Sequence, residues 1–323
     1  MTMNRFAYAM AQSVSETVQA LDENCRPLAG GTDLLGMMKE GLAAPSRLVN
    51  IKGIVGLDQV VIQEDGLRVG ALTRLFSLID ALEGQPGYEV LRQALLRTAT
   101  PQIRHMATVG GNLVQRPRCW YFRNKLTHCL RKGGDRCFAY RGENKYHALL
   151  GGGPCYIVHP SDMAVALLAL DASVIVAGPG GERTVPLSDF YQLPKQDAHH
   201  EADLAENELL THIGVPQPEA GARGTYVKIA ERQSWDFALV SVAMQVVLVD
   251  GVVRQARVAL GGVAPVPWHA RQAEAVLVGG PLSEERAAQA AQAAMADARP
   301  LAQNAYKIEM IHGAFKEAAR RLL

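Results

Sequence analysis

The chain has 323 residues, 48% hydrophobic and 20% charged, with 30 glycines and a formal net charge of +1 at pH 7. That length supports two domains, each burying its own core, and the near-neutral balance gives no global reason to expect a nucleic acid or a membrane surface as partner. No apolar run approaches the roughly 20 residues that cross a bilayer, and Met1 to Gln12, with one arginine and no long apolar stretch, does not read as a secretory signal.

Ser13 and Glu16 have capping-box spacing, and Val14, Val18 and Leu21 follow on one face, which predicts a short opening helix. Arg26 to Ala29 reads as a strand running into Gly30-Gly31-Thr32-Asp33 and then a helix start at Leu34-Leu35. Strand, glycine pair and helix is an arrangement that lets backbone amides face an anion, although for an isolated Gly-Gly-Thr a tight strand-to-helix turn is the simpler reading. Arg47 to Ile51 reads as a second strand, and Val60 to Gly70 as a hairpin turning at Glu64-Asp65-Gly66. Helices follow over about Thr73 to Leu82 and Tyr88 to Ala99. Pro101 then breaks the pattern before Ala107-Thr108-Val109-Gly110-Gly111-Asn112. This second pair of glycines, flanked by a hydroxyl and an amide, lacks the spacing of a Rossmann fingerprint.

Residues 115–156 are irregular, aromatic and basic, with nine Arg or Lys against Asp135 and Glu143. They carry four of the five cysteines, Cys119, Cys129, Cys137 and Cys155, while Cys25 stands apart and reads as a small buried apolar residue. A reducing compartment favours metal binding over disulfides for such a group. Gaps of nine, seven and seventeen residues supply none of the close pairs of a zinc knuckle. They suit a [4Fe-4S] cube better, and the surrounding cations would stabilise its negative charge. Zinc, disulfides or free thiols stay open on this chemistry, as does an RNA-binding loop without a recognisable module. His128, His147 and His159 are candidate ligands that read more simply as polar loop residues.

After this segment Ser161-Asp162 opens an apolar helix over Met163 to Ala172. Val174 to Ala177 and Arg183 to Val185 predict a hairpin, 194–208 a loop, and Leu209 to Val215 a strand before a linker at Pro216 to Gly221. Thr225 to Ile229 is a strand. Val240, Val242, Met244, Val246 and Leu248 alternate before the Asp250-Gly251 turn into Val252 to Leu260. Ser283 caps an alanine-rich helix ended by Pro300, and the last helix places Ile308, Ile311, Phe315 and Leu322 on one face. Strands followed by helices predict an α+β domain.

Together these motifs resemble the FAD-binding medium subunits of the molybdenum hydroxylase family, which includes xanthine dehydrogenase, carbon monoxide dehydrogenase and aldehyde oxidoreductases. The resemblance spans essentially the whole chain. It implies an α+β fold with a two-part FAD-binding (PCMH-type) domain over 1–216 and a C-terminal domain of the CO dehydrogenase flavoprotein type over 217–323. By that resemblance Leu28, Ala29, Gly30, Gly31, Thr32, Asp33, Leu34 and Leu35 wrap the FAD pyrophosphate, and Ala107, Thr108, Gly110, Gly111 and Asn112 form the second FAD loop. Asp162, after Ser161, holds the ribityl chain, and Leu210 and Lys228 make further flavin contacts. Most members join the Gly-Gly-Asn loop almost directly to Ser-Asp. The insert at 115–156 is similar to two branches that carry a [4Fe-4S] cluster, and Arg118-Cys119-Trp120-Tyr121-Phe122-Arg123 and His159-Pro160-Ser161-Asp162 place it nearest the periplasmic-type aldehyde oxidoreductases. Cys119, Cys129, Cys137 and Cys155 are then the cluster ligands.

The implied partners are a large subunit with the molybdenum cofactor, a small subunit with [2Fe-2S] clusters and an external electron acceptor. No general acid, base or nucleophile is assigned on this chain, since the chemistry belongs to cofactors. The compartment is cytoplasmic, or periplasmic by co-export with a signal-bearing partner. A 4-hydroxybenzoyl-CoA reductase or xanthine dehydrogenase-like enzyme, a self-contained flavoprotein oxidase and a zinc-stabilised binding module are the alternatives.

Overall fold

The computed structural model describes residues 3–323. Met1 and Thr2, which begin the stretch read for a secretory signal, lie outside the described residues. In chain order the first part comprises β1 (Ala7–Met10), α1 (Val14–Ala20), β2 (Cys25–Leu28), α2 (Leu34–Lys39), β3 (Arg47–Asn50), β4 (Val60–Gln63), β5 (Gly66–Gly70), α3 (Leu75–Ala81), α4 (Glu89–Leu96), α5 (Pro101–Arg104), α6 (Val109–Leu113) and α7 (Trp120–Arg123). It continues through α8 (Asp162–Leu168), β6 (Ser173–Gly178), β7 (Gly181–Pro186), α9 (Leu187–Phe190) and β8 (Leu209–Pro216). The second part has β9 (Ala222–Ile229), β10 (Val240–Val249), β11 (Val252–Gly261), β12 (Trp268–His269), α10 (Arg271–Leu277), α11 (Glu284–Ala294) and α12 (Tyr306–Leu322).

Three sheets result: a parallel one in the order β1-β3-β2, an antiparallel one in the order β4-β5-β8-β6-β7, and an antiparallel one in the order β12-β11-β10-β9. The mixed α+β architecture is therefore as the sequence predicts. Ser13 caps α1 by accepting from the Glu16 amide, and Ser283 caps α11 by accepting from the Arg286 amide. Cys25 is buried in the small core between the parallel sheet and α1, as expected.

The structure departs from the sequence reading at several points. β1 escapes notice because all four residues are exposed, so no inward-facing alternation marks it. Pro101 does not end a helix. It is the first residue of α5, where its missing amide costs nothing, and Thr100 caps that turn. α10 was not anticipated. β10 does alternate, yet the intervening Ser241, Ala243 and Gln245 are buried as well. One of its faces packs into the C-terminal core with α12, and Ala243 on the other joins the large core of the first part alongside α4 and α8. That double burial clamps the two parts together and sets the residues of β9 against the start of α8.

Candidate functional site

The strand-glycine-helix segment opens onto the larger of the two cavities that the predicted flavin residues line. About 540 Å³ in volume, this cavity is lined by Leu28, Ala29, Gly30, Gly31, Thr32, Asp33 and Leu34 on one side, by Thr108, Gly111 and Arg116 on another, and by Glu201, Ala202, Leu204, Glu206 and Glu208 on a third. Leu35 packs its side chain over Gly31, which adopts φ +73, a left-handed conformation that glycine tolerates without strain. Gly30 serves packing: an added Cβ would collide with the Met106 carbonyl oxygen and approach the Ala107 Cα. Its bare Cα therefore lets the first loop lie directly on the segment leading to the second. Among the described residues, no protein acceptor takes the amides of Gly30 to Asp33. A row of unpaired backbone N–H groups facing a cavity is suited to an anion.

The second loop works differently from what its glycines suggest. Its amides are used internally: Val109 donates to Thr73 O, Gly110 to Ala71 O, Gly111 to Thr108 Oγ1 and Asn112 to Thr108 O. Gly110 is required because Ala71 Cβ stands 2.8 Å from where its own Cβ would be, and Leu210 packs on the same spot. Leu210 is thus a buried core contact beneath the loop, lining neither cavity, and Ala107 is likewise buried against the first loop. What the second loop presents is side-chain chemistry. The Asn112 Oδ1 accepts from Ser161 Oγ at 2.5 Å, and Ser161 in turn caps α8.

Beyond that contact lies the second cavity, about 340 Å³, lined among others by Arg118, Cys119, His147, His159, Ser161, Asp162, Phe237 and Gly262. Asp162 is buried and doubly held: Tyr226 donates its phenol at 2.6 Å and Lys228 its ammonium at 2.7 Å. Tyr226 and Lys228 lie two residues apart on β9, so their side chains share one face of the strand. Lys228 also donates to the carbonyls of Arg97 and Asp236, so it is fully engaged as the counter-ion of Asp162. His159 is buried against Tyr191, its Nε2 lacks a partner, and burial holds its pKa down to about 3. It is a buried neutral imidazole rather than a polar loop residue, and so is His147, which burial holds to about 4. His128 is exposed.

The four clustered cysteines meet. Cys119, Cys129, Cys137 and Cys155 line one small cavity of about 10 Å³ with Tyr121, Phe122, Phe138, Arg131, His147 and Ile157. None is disulfide-bonded. His147 Nε2 lies 3.2 Å from Cys119 Sγ, and burial pushes the Cys119 thiol up to about 11. The hydrogen bond from Cys137, together with the Arg131 guanidinium, pulls Cys155 down to about 6, which favours its thiolate, while Cys137 is pushed up. Among the described residues, no group of three or more His, Cys, Asp and Glu side chains forms a ready-made site for a metal ion. The donor set still fits a cluster: four thiols at one cavity, one near its ligating form, with a buried cation beside it. Cys119, Cys129, Cys137 and Cys155 would hold such a cluster, which is larger than the closed cavity, so the four thiols would part to admit it. Cys119 and His147 line both this cavity and the second one.

The sequence reading did not anticipate the ion pairs that hold the insert. Arg118 and Arg123 pair with Asp33 and Arg116 and Arg131 with Glu201, while Lys307 on α12 donates to the carbonyls of Tyr146, His147 and Gly262. Nothing in the polar segment 194–208 marks Glu201. For Tyr226 the signal was present in its two-residue spacing from Lys228.

Comparison with known proteins identifies the family and the fold. Residues 4–218 match the family described as FAD binding domain in molybdopterin dehydrogenase, and residues 225–322 match the CO dehydrogenase flavoprotein C-terminal domain. The aldehyde oxidoreductase FAD-binding subunit PaoB of Escherichia coli (strain K12) is 38% identical over 316 residues, covering 95% of this chain and 94% of that one. The glyceraldehyde dehydrogenase medium chain of Sulfolobus acidocaldarius is 27% identical over 282 residues, covering 87% and 83%. Among solved structures, reconstituted CO dehydrogenase from Oligotropha carboxidovorans superposes with a TM-score of 0.79 at 26% identity, covering 100% of this chain and 99% of that one.

Proposed function

Because the chain belongs to the FAD-binding medium subunits of the molybdenum hydroxylase family, we propose that it is the FAD and [4Fe-4S] subunit of a molybdenum-dependent aldehyde oxidoreductase. In this reading it works with a large molybdenum-cofactor subunit and a small [2Fe-2S] subunit. The flavin and the cluster supply the electron-carrying chemistry that links the partners' centres to an external acceptor, while the polypeptide supplies binding, orientation and field.

Support comes from how these two cavities suit one elongated ligand. The free amides of Gly30 to Asp33 suit a pyrophosphate, and the strip of Thr108, Gly111, Asn112 and Ser161 lies where a ribityl chain would cross. The second cavity offers apolar walls at Phe237 and Leu239 with the glycines 261 and 262 for a planar ring. Asp162, fixed by Tyr226 and Lys228, presents an oriented carboxylate in the wall of the second cavity, still able to accept from a hydroxyl.

The observation that carries the cluster reading is the convergence of four cysteines, far apart in sequence, on one cavity enclosed by aromatics and the buried Arg131. Similarity to the FAD-binding subunit of an aldehyde oxidoreductase supports the substrate class. The test is reduction of the purified assembly by a panel of aldehydes, following flavin bleaching in the visible spectrum. Bleaching by aldehydes is expected. An assembly reduced by xanthine or carbon monoxide and not by aldehydes would move the chain to another branch.

A further inference from the structure

Two carboxylates in the wall of the larger cavity also hold the thiol loop. Asp33, within the first loop, accepts from Arg118 Nη1 and Arg123 Nη2 at 2.8 Å each through Oδ1, and from the Arg116 amide at 2.8 Å through Oδ2. These three donors flank Cys119 in sequence. Glu201 accepts from Arg131 Nη1 at 2.7 Å and pairs with Arg116 Nε at 2.8 Å. Arg131 lies between Cys129 and Cys137 in sequence and lines the thiol cavity together with Cys155. Asp33 and Glu201 both line the larger cavity. Each carboxylate thus touches the flavin cavity on one side and, through guanidiniums, a ligand-bearing stretch of the insert on the other. Met37 of α2 adds an apolar link by packing with Phe122 and Cys129.

We propose that Asp33 and Glu201 are positioning residues that couple the two cofactor sites, so that FAD in the larger cavity and a cluster on the four cysteines each strengthen binding of the other. The inference rests on the cluster reading above. Four guanidiniums face two carboxylates, leaving two positive charges in excess between the places where two anionic groups would sit. Whichever group binds first orders this shared set of arginines, and the second then meets a wall already fixed, which is positive cooperativity through ordering. Burial matters here: the Arg131 and Glu201 side chains are 1% and 9% exposed, and removing one partner of so buried a pair leaves an uncompensated charge. Coupling of this kind is reciprocal, and typical cases amount to about 5- to 150-fold in affinity.

The test uses the full chain in its native assembly. The FAD dissociation constant is measured by flavin fluorescence with iron in place and again after iron is removed by chelation, in wild type, Asp33→Asn, Glu201→Gln and Glu201→Asp. The exposed-pair variant Glu284→Gln is the control. Wild type and control should lose about 5- to 150-fold in affinity on iron removal. In Glu201→Gln and Asp33→Asn the ratio should fall below about 2-fold, whereas Glu201→Asp, which keeps the charge, should restore part of it. The electron paramagnetic resonance signal of the reduced cluster should change when FAD leaves wild type and stay the same in Glu201→Gln, a readout that mere loss of stability does not produce. A wild-type ratio near one with iron present overturns the coupling alone, as does a wild-type ratio retained in both neutralised variants. Wild type isolated without iron overturns the cluster reading and the coupling together.

Discussion

Replacing Gly30 with alanine tests whether the first glycine pair exists to bring two ligand-holding loops together. In the structure a Cβ at this position would sit on the Met106 carbonyl oxygen, well inside van der Waals contact, with the Met106 carbonyl carbon at 2.9 Å and the Ala107 Cα at 3.3 Å behind it. All three are backbone atoms, so no side-chain rotation relieves the overlap and the two loops must part. Overpacking of this kind costs about 1–3 kcal/mol. Because Gly30 and Thr108, which the separation would move apart, both line the larger cavity, the cost should fall largely on FAD binding, as a loss of roughly 5- to 150-fold in affinity. Gly36 in α2 supplies the control: a Cβ there meets nothing within 4 Å, and alanine should stabilise that helix by up to about 1 kcal/mol. The assay is a flavin fluorescence titration of both variants, with urea unfolding alongside. Wild-type FAD affinity in Gly30→Ala would refute the reasoning, because the close approach of the loops would then be irrelevant to the ligand.

Other perturbations follow from the same geometry. Lys228→Met strands the buried Asp162 carboxylate and should cost about 3–5 kcal/mol in urea unfolding, with Asp162→Asn plus Lys228→Met recovering part of the loss. His159, buried and held to about 3 against its usual 6.5, is protonated more readily in the unfolded chain, so its contribution to stability is present above about pH 6.5 and is lost as pH falls from there toward about 3. The slope from this one group approaches roughly 1.4 kcal/mol per pH unit, and His159→Gln should flatten it in urea midpoints measured from pH 7 to 4. Cys129→Ser should lower bound iron and bleach broad visible absorption, whereas Cys25→Ala, in a separate apolar cluster, should leave both unchanged.

Much of this architecture could be read from the chain because its signals are local. Ser13 with Glu16, the Glu64-Asp65-Gly66 turn, the alternating residues of β10 and the Asp250-Gly251 turn each fix an element through a few neighbouring residues. The glycine pairs were legible as loops, but not the division of labour between them. Gly30 and Gly110 are needed for contacts with Met106 and Ala71, which are remote in sequence, and only the first loop keeps its amides free. The convergence of Cys119 to Cys155 was foreseeable from composition. The fastening of their loop to Asp33, Glu201 and Lys307 was not, because each of those pairings is made across long stretches of chain by residues that in isolation resemble ordinary surface charges.

The central claim is that one polypeptide holds a flavin and an iron–sulfur cube side by side. Its most direct test is quantitative analysis of FAD, iron and acid-labile sulfide in the anaerobically purified assembly, compared with the same assembly carrying Cys155→Ser, so that metal on partner subunits cancels. About one FAD per chain and about four iron and four sulfide in excess of the variant are expected. Equal iron in the two assemblies, with zinc or disulfides found on these cysteines, would contradict the claim.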